Sequence, residues 1–199
     1  MTHLAIVYHS GFGHTAVVAE HVAKGVRSVS GVSITLVKAD DLAKSDTGPW
    51  DELAKADGII FGSPTYMGSV SASFKQFLDA SSKVWGEQGW KDKVAAGFTV
   101  SGSQSGDKLA TLQQLAVVAA QHSMIWVSTG LMPGNNSSKG SVEDVNRLGS
   151  FLGMMAQANS DEGPDVAPPQ ADRKTAELFG ARVAEVTAQF VRGKQLVSA

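Results

Sequence analysis

Short apolar runs alternate with longer amphipathic stretches along the chain. Leu4 to Tyr8 ("LAIVY") reads as a strand. From Thr15 to about Val29, Val18, Val22 and Val26 recur at helical spacing, with Ala19 and Ala23 beside them. Ser33 to Lys38 alternates like a strand, and Pro49 to Ala56 suits a short helix with proline near its first turn. Asp57 to Gly62 ("DGIIFG") is a buried strand. Ser71 to about Ser82 is a helix with Phe74, Phe77 and Leu78 on one face. Val94 to Val100 is a fourth strand. A helix from Asp107 to Gln121 follows, with Leu109, Leu112, Leu115 and Ala116 inward. Met124 to Val127 is a fifth strand, and the last helix runs from about Ala171 to Val191.

Strands alternating with helices predict an α/β fold, a doubly wound five-stranded parallel sheet with helices on both faces. A length of 199 residues suits one domain spanning 1–199. The segment at about 128–170 breaks the alternation. It is rich in Gly, Asn, Ser, Pro and Met, and a long loop inside a compact domain is commonly functional.

Charge and composition then narrow the chemistry. With 17 basic and 19 acidic residues the net charge is −2, which gives neither a nucleic-acid footprint nor a strongly acidic docking face. The absence of cysteine removes disulfides, thiolate metal sites and cysteine nucleophiles. No metal ligand set stands out. The start "MTHLAIVYHS" lacks the marks of a secretory signal, and no apolar stretch reaches membrane-span length, so a cytoplasmic protein without membrane insertion is expected.

Ligands of open parallel sheets bind beyond the carboxyl ends of the strands. Three loops there carry distinctive content. The first, Ser10-Gly11-Phe12-Gly13-His14-Thr15, leads into a helix N-terminus. Free N–H groups, the helix dipole and two hydroxyls can hold a phosphate there without a cationic side chain. A triphosphatase would need a Walker lysine, which is missing. A bare strand-to-helix turn is the alternative. The second loop, "GSPTYMGSVSASFKQFLD", offers Tyr66 and Met67 as packing for a planar ring, with Pro64 stiffening it and Gly68 allowing a sharp turn. Ser69 and Ser71 are candidate caps for the next helix. Alternatively, Tyr66 and Met67 only cover the core. The third, "SGSQSG", presents N–H groups and hydroxyls to a heterocycle edge, or is a simple connector.

With "YHSGFGHT", "GSPTYMGSVSASFKQFLD", Val84-Trp85, "FTVSGSQSG" and "HSM" in place, nearly the whole chain resembles the WrbA-type NAD(P)H:quinone oxidoreductases of the flavodoxin-like family. The resemblance implies strand order 2-1-3-4-5 and non-covalently bound FMN. Ser10, Gly11, Phe12, Gly13, His14 and Thr15 would take its phosphate. Pro64, Thr65, Tyr66, Met67 and Gly68 would line the ring, and Val100, Ser101, Gly102, Ser103, Gln104 and Ser105 its edge and ribityl side. Phe12 would lie against the nicotinamide or quinone, and Trp85 would close the substrate pocket, often that of a neighbouring subunit. The family's His-His-Gly-Met run is replaced by Gln121-His122-Ser123-Met124, so the resemblance implies that one of the two faces the flavin, either Gln121 with His122 behind it or His122 itself. "LGSFLGMMAQANSD" stands where the family has Pro-Tyr-Gly-Ala, and Gln104 where a glycine is usual.

The activity so implied is FMN-dependent, two-electron quinone reduction by NAD(P)H, with ping-pong hydride transfer and no catalytic side chain. A homodimer or homotetramer is expected, with Trp85, Trp90 and the long loop as interface candidates unless they cover the chain's own core. The rival readings are an electron-transfer flavodoxin and a non-catalytic flavodoxin-like assembly module. His3, His9 and His21 carry no assigned role.

Overall fold

In the first strand, β1 (Thr2–Tyr8), Leu4 and Ile6 pack into one core and Ala5 and Val7 into another, as pleating demands of a strand covered on both faces. The computed structural model describes residues 1–197. β1 lies between β2 (Val32–Lys38) and β3 (Gly58–Tyr66), and β3 pairs with β5 (Val94–Ser101), all parallel. Helices α1 (His14–Arg27) and α6 (Gln170–Val197) cover the Leu4 and Ile6 face. Helices α2 (Trp50–Lys55), α3 (Ala72–Ala80) and α5 (Lys108–Gln121) cover the other, around Phe61, Phe77, Trp90 and Leu112.

The edge next to β5 departs from the expected five strands. Two short segments share it: β6 (Ile125–Trp126) pairs with the start of β5, and β7 (Met154–Gln157) pairs with its end. The path β2-β1-β3-β5-β6 matches the expected 2-1-3-4-5 order, and the fifth position is interrupted by an insert of 127–153. The segment 128–170 is therefore not all loop. Its Met154 and Ala156 enter the core. The insert is pinned from within by buried Asn146, whose amide donates to Leu131 O and Ser150 O and accepts from Ser150 N. A fully bonded buried amide fixes a turn more firmly than apolar contact alone.

Two smaller differences come from packing. On α5 the inward stripe is Lys108, Thr111, Leu112, Leu115 and Ala119, while Leu109 is exposed. Trp90 is core rather than interface: it is 1% exposed, against Phe61, Phe77, Trp50 and the His122 ring. No described helix is long and apolar enough to cross a membrane.

His122, buried beneath Trp90, confers acid sensitivity. Its Nε2 bonds Ser81 Oγ, which itself donates to Leu78 O, so Nε2–H is the donor and Nδ1 carries a lone pair with no partner. Burial holds its pKa below the ordinary 6.5. The unfolded chain then binds more protons than the folded one as pH falls through 6.5, so stability drops on acidification. Thermal melts from pH 7.5 to 5 should show this decline, and His122→Gln should flatten part of it. An unchanged slope in the variant would place the acid sensitivity elsewhere.

Candidate functional site

The carboxyl ends of β1, β3 and β5 open onto one cleft of about 250 Å³. It is lined by Phe12, His14 and Thr15 from the first loop, Pro64, Thr65 and Tyr66 from β3, and Val100, Ser101 and Gly102 from β5. Ala158 and Ser160, just after β7, complete it. An adjoining hollow is bordered by Met67, Gly68, Ser103 and Gly106. Among the described lining residues of the cleft none is a lysine or arginine. No described cluster of His, Asp or Glu has the makeup of a metal site.

The first loop turns into α1 at Gly13, which has φ +90° and which no L side chain adopts comfortably. Ser10 Oγ accepts from Ala16 N at 3.1 Å, so a residue six places back satisfies one of the helix's free N–H groups. The backbone there is crowded on purpose. A Cβ on Gly11 would lie 2.6 Å from the Tyr66 hydroxyl, and one on Gly13 would lie 2.8 Å from Pro164 Cγ. The two glycines thus make a cradle over which Tyr66 and the 159–166 segment close. Helix N-terminus, hydroxyls and glycine backbone suit a phosphate.

The other end suits a planar ring. Tyr66 meets Phe12 edge to face with centroids 6.3 Å apart. Burial raises the Tyr66 pKa above 10.0, so the phenol stays neutral. Beneath it, Thr65 Oγ1 bonds both Thr99 Oγ1 and Thr111 Oγ1 at 2.8 Å, which locks the floor of the cleft to β5 and α5. Ser71 caps α3 by accepting from Phe74 N at 3.3 Å, whereas Ser69 lies in β4 (Ser69–Val70) and donates to Val70 O.

The turn between β3 and β4 is strained. Its two central residues, Met67 and Gly68, have φ +48° and +77°, the signature of a tight type I′ hairpin that favours Asn-Gly. A methionine there costs about 1 kcal/mol, yet its side chain is fully exposed. Strain of this kind gathers at functional sites. Met67→Asn should raise the melting temperature by roughly 2–4 °C while raising KM for an aromatic acceptor. An unchanged melting point would show the turn to be relaxed.

His14 lines the cleft, and its Nε2–H donates to Glu162 O at 2.8 Å, which ties α1 to the segment after β7. Other expected residues fall elsewhere. Gln104 and Ser105 do not line the cleft itself but a second groove, which they share with Lys108. Gln121 and His122 end α5 beside the amino end of β5, where Asp92 N donates to Ser123 O. That is a strand length, roughly 23 Å, from the cleft. Trp85, on the short helix α4 (Ser82–Gly86), shares that pole through Gln88, which links Trp85 O to Ser123 Oγ. His122 is 3% exposed, so neither it nor Gln121 joins the cleft of its own chain. His9 and His21 pair with Asp40 and Glu177, and His3 with Ser33, all away from the cleft.

Ala158, Ser160, Glu162 and Pro164 were not expected at the site. The Gly- and Pro-rich "DEGPDVAPP" signals Glu162 and Pro164 but not Ala158 or Ser160, and only the pairing of β7 with β5 brings the segment over the first loop.

Comparison with known proteins agrees with this geometry. Residues 9–137 match the family described as NADPH-dependent FMN reductase. The chain is 42% identical over 190 residues to flavodoxin FldP of Pseudomonas aeruginosa, covering 96% of this chain and 99% of that protein. It is 30% identical to an NAD(P)H dehydrogenase (quinone) of Trichlorobacter lovleyi, with the same coverages. A crystal structure of a WrbA-like flavodoxin from Agrobacterium tumefaciens superposes with a TM-score of 0.74 at 41% identity, covering 96% of this chain and 99% of that one.

Proposed function

Because the chain belongs to the NADPH-dependent FMN reductase family, we propose that it holds FMN in this cleft, oxidises NAD(P)H and reduces quinones in two-electron steps. Bound FMN supplies hydride acceptance and donation. The remaining work falls to the chain. Ser10, Thr15 and the first-turn N–H groups of α1 hold the phosphate between Gly11 and Gly13. Tyr66 and Pro64 pack on the ring, and Ser101, Gly102 and Ser103 meet its edge.

The observation that carries the reading is the exposed apolar rim of Phe12 and Met67 next to Tyr66. Two large apolar side chains in water, both flanking Tyr66 at the mouth of the cleft and its hollow, give a second planar molecule a place to lie and keep water off it. Nicotinamide and quinone would occupy that place in turn, which is a ping-pong sequence. Trp85 is 52% exposed at the opposite pole and can reach only the cleft of a neighbouring copy, which favours a homo-oligomer.

One observation favours a second reading, an electron carrier: the long, well-covered likeness to proteins named flavodoxin. The net charge of −2 weighs against an acidic docking face. Steady-state oxidation of NADH or NADPH by benzoquinone, with FMN-loaded protein and no partner reductase, separates the two. Turnover supports the oxidoreductase. Bound FMN without turnover, reducible only through a reductase, supports the carrier.

A further inference from the structure

Lys108, the first residue of α5, is a lysine 1% exposed to solvent, which is rare for this residue type. Its ammonium reaches back to the third loop and donates to Ser101 Oγ at 2.7 Å, Ser103 O at 3.0 Å and Gln104 O at 2.9 Å. All three N–H bonds are thereby used. Ser101 Oγ in turn donates to Ser103 O. Every partner is a neutral oxygen. The Asp172 carboxylate acts on Lys108 only at longer range and is held by Arg147. The group of Lys108, Arg147 and Asp172 thus keeps one positive charge in excess. Burial and Arg147 push the lysine pKa down, against Asp172, to about 8.

The captured carbonyls fix the loop's polarity. A trans peptide points its N–H opposite its C=O. Holding Ser103 O and Gln104 O therefore turns the N–H groups of Gln104 and Ser105 away from the ammonium. Lys108 borders the outer groove together with Gln104 and Ser105, while the preceding Ser101, Gly102 and Ser103 border the cleft and its hollow.

We infer that Lys108 is a positioning residue: it aims the third loop's N–H donors at the ring edge of bound FMN and favours negative charge on that ring. The inference rests on the FMN reading above. It makes a net positive charge, isolated from solvent behind the loop, complementary to a ring that gains electrons. Lys108 never touches the cofactor.

The test measures FMN affinity of the apoprotein by flavin fluorescence from pH 7 to 9.5, and the two-electron midpoint potential of the bound FMN, in wild type, Lys108→Met and Lys108→Arg. A phosphate monoester is already ionised above pH 7 and Tyr66 stays neutral, so comparison with Lys108→Met and Lys108→Arg assigns the remaining titration to Lys108. In wild type the Kd should rise at least tenfold across the window, with its midpoint near 8. Lys108→Met should bind about tenfold more weakly at pH 7 and show no such rise. Its preference for reduced over oxidised FMN should fall about tenfold, a midpoint about 30 mV lower. Lys108→Arg should restore the potential. Should Lys108→Met not fold, the wild-type pH profile and that of Lys108→Arg decide: arginine stays charged throughout the window, so the rise in Kd should vanish in that variant, and a rise that persists overturns the inference. A flat wild-type profile with an unmoved potential overturns the inference and leaves Lys108 a loop brace. Tight FMN binding by the wild type together with that result would leave the proposed function standing. Failure of the wild type to bind FMN at any pH overturns both.

Discussion

Replacing Asp172 by asparagine is expected to cost about 3–5 kcal/mol of stability. Asp172 is 1% exposed and binds Arg147 through two parallel contacts, Nε to Oδ1 at 2.7 Å and a terminal N to Oδ2 at 3.0 Å. Its Oδ2 also accepts from Gln157 N at 2.8 Å. One carboxylate thus joins the start of α6, the insert and β7. The substitution leaves the Arg147 guanidinium buried without its counter-charge, and that uncompensated charge is the main penalty. For a chain of this size the melting temperature should fall by roughly 6–20 °C. Because β7 leads into Ala158 and Ser160, FMN binding should weaken as well. A fall under 2 °C in a thermal melt would mean that the pair is solvated in solution and contributes little.

The second large effect belongs to the cradle. Gly13→Ala puts a Cβ 2.8 Å from Pro164 Cγ at a residue with φ +90°. Backbone strain of about 1–3 kcal/mol adds to the displacement of the 159–166 segment. If the strain is relieved by moving the loop, FMN affinity should fall roughly 30- to 100-fold, up to about 2.7 kcal/mol. Gly31→Ala is the control. Gly31 also has positive φ, +78°, but a Cβ there meets nothing within 4 Å, and it sits before β2 at the far end of the sheet. That variant should lose some stability and bind FMN as wild type does. Equal affinities for Gly13→Ala and wild type would move the phosphate elsewhere.

Much of this arrangement was legible in the sequence because local patterns were strong. Val18, Val22 and Val26 set α1, and Ser71 capped α3 where the hydroxyl pattern put it. The first two loops and the near half of the third converge because consecutive parallel strands end on one side of a sheet. β7 was not legible. "MMAQ" neither alternates clearly nor carries branched residues, and it follows β6 only after the insert. Its strand character comes from pairing with β5, a contact that no local window contains. The role of His14 depends on that same long-range closure.

Gln121 and His122 teach a different lesson. Residues between a helix and the next parallel strand lie at that strand's amino end, away from the ligand side. The resemblance placed them at the flavin, while the order of elements puts both away from this chain's own cleft, at the pole that also carries Trp85. Trp90 shows the limit of composition: a tryptophan near an exposed tryptophan reads the same whether it meets a partner or, as here, Phe61 and Phe77.

A single anaerobic mixing experiment decides whether the chain is a quinone reductase. Protein loaded with FMN is mixed with NADPH, and separately with NADH, while the absorbance of the oxidised flavin is followed; benzoquinone is then added. Rapid bleaching by at least one nucleotide is expected, with full recovery on one equivalent of quinone. Bound FMN that neither nucleotide bleaches would contradict that activity and make the exposed rim of Phe12 and Met67 a docking surface for a separate reductase.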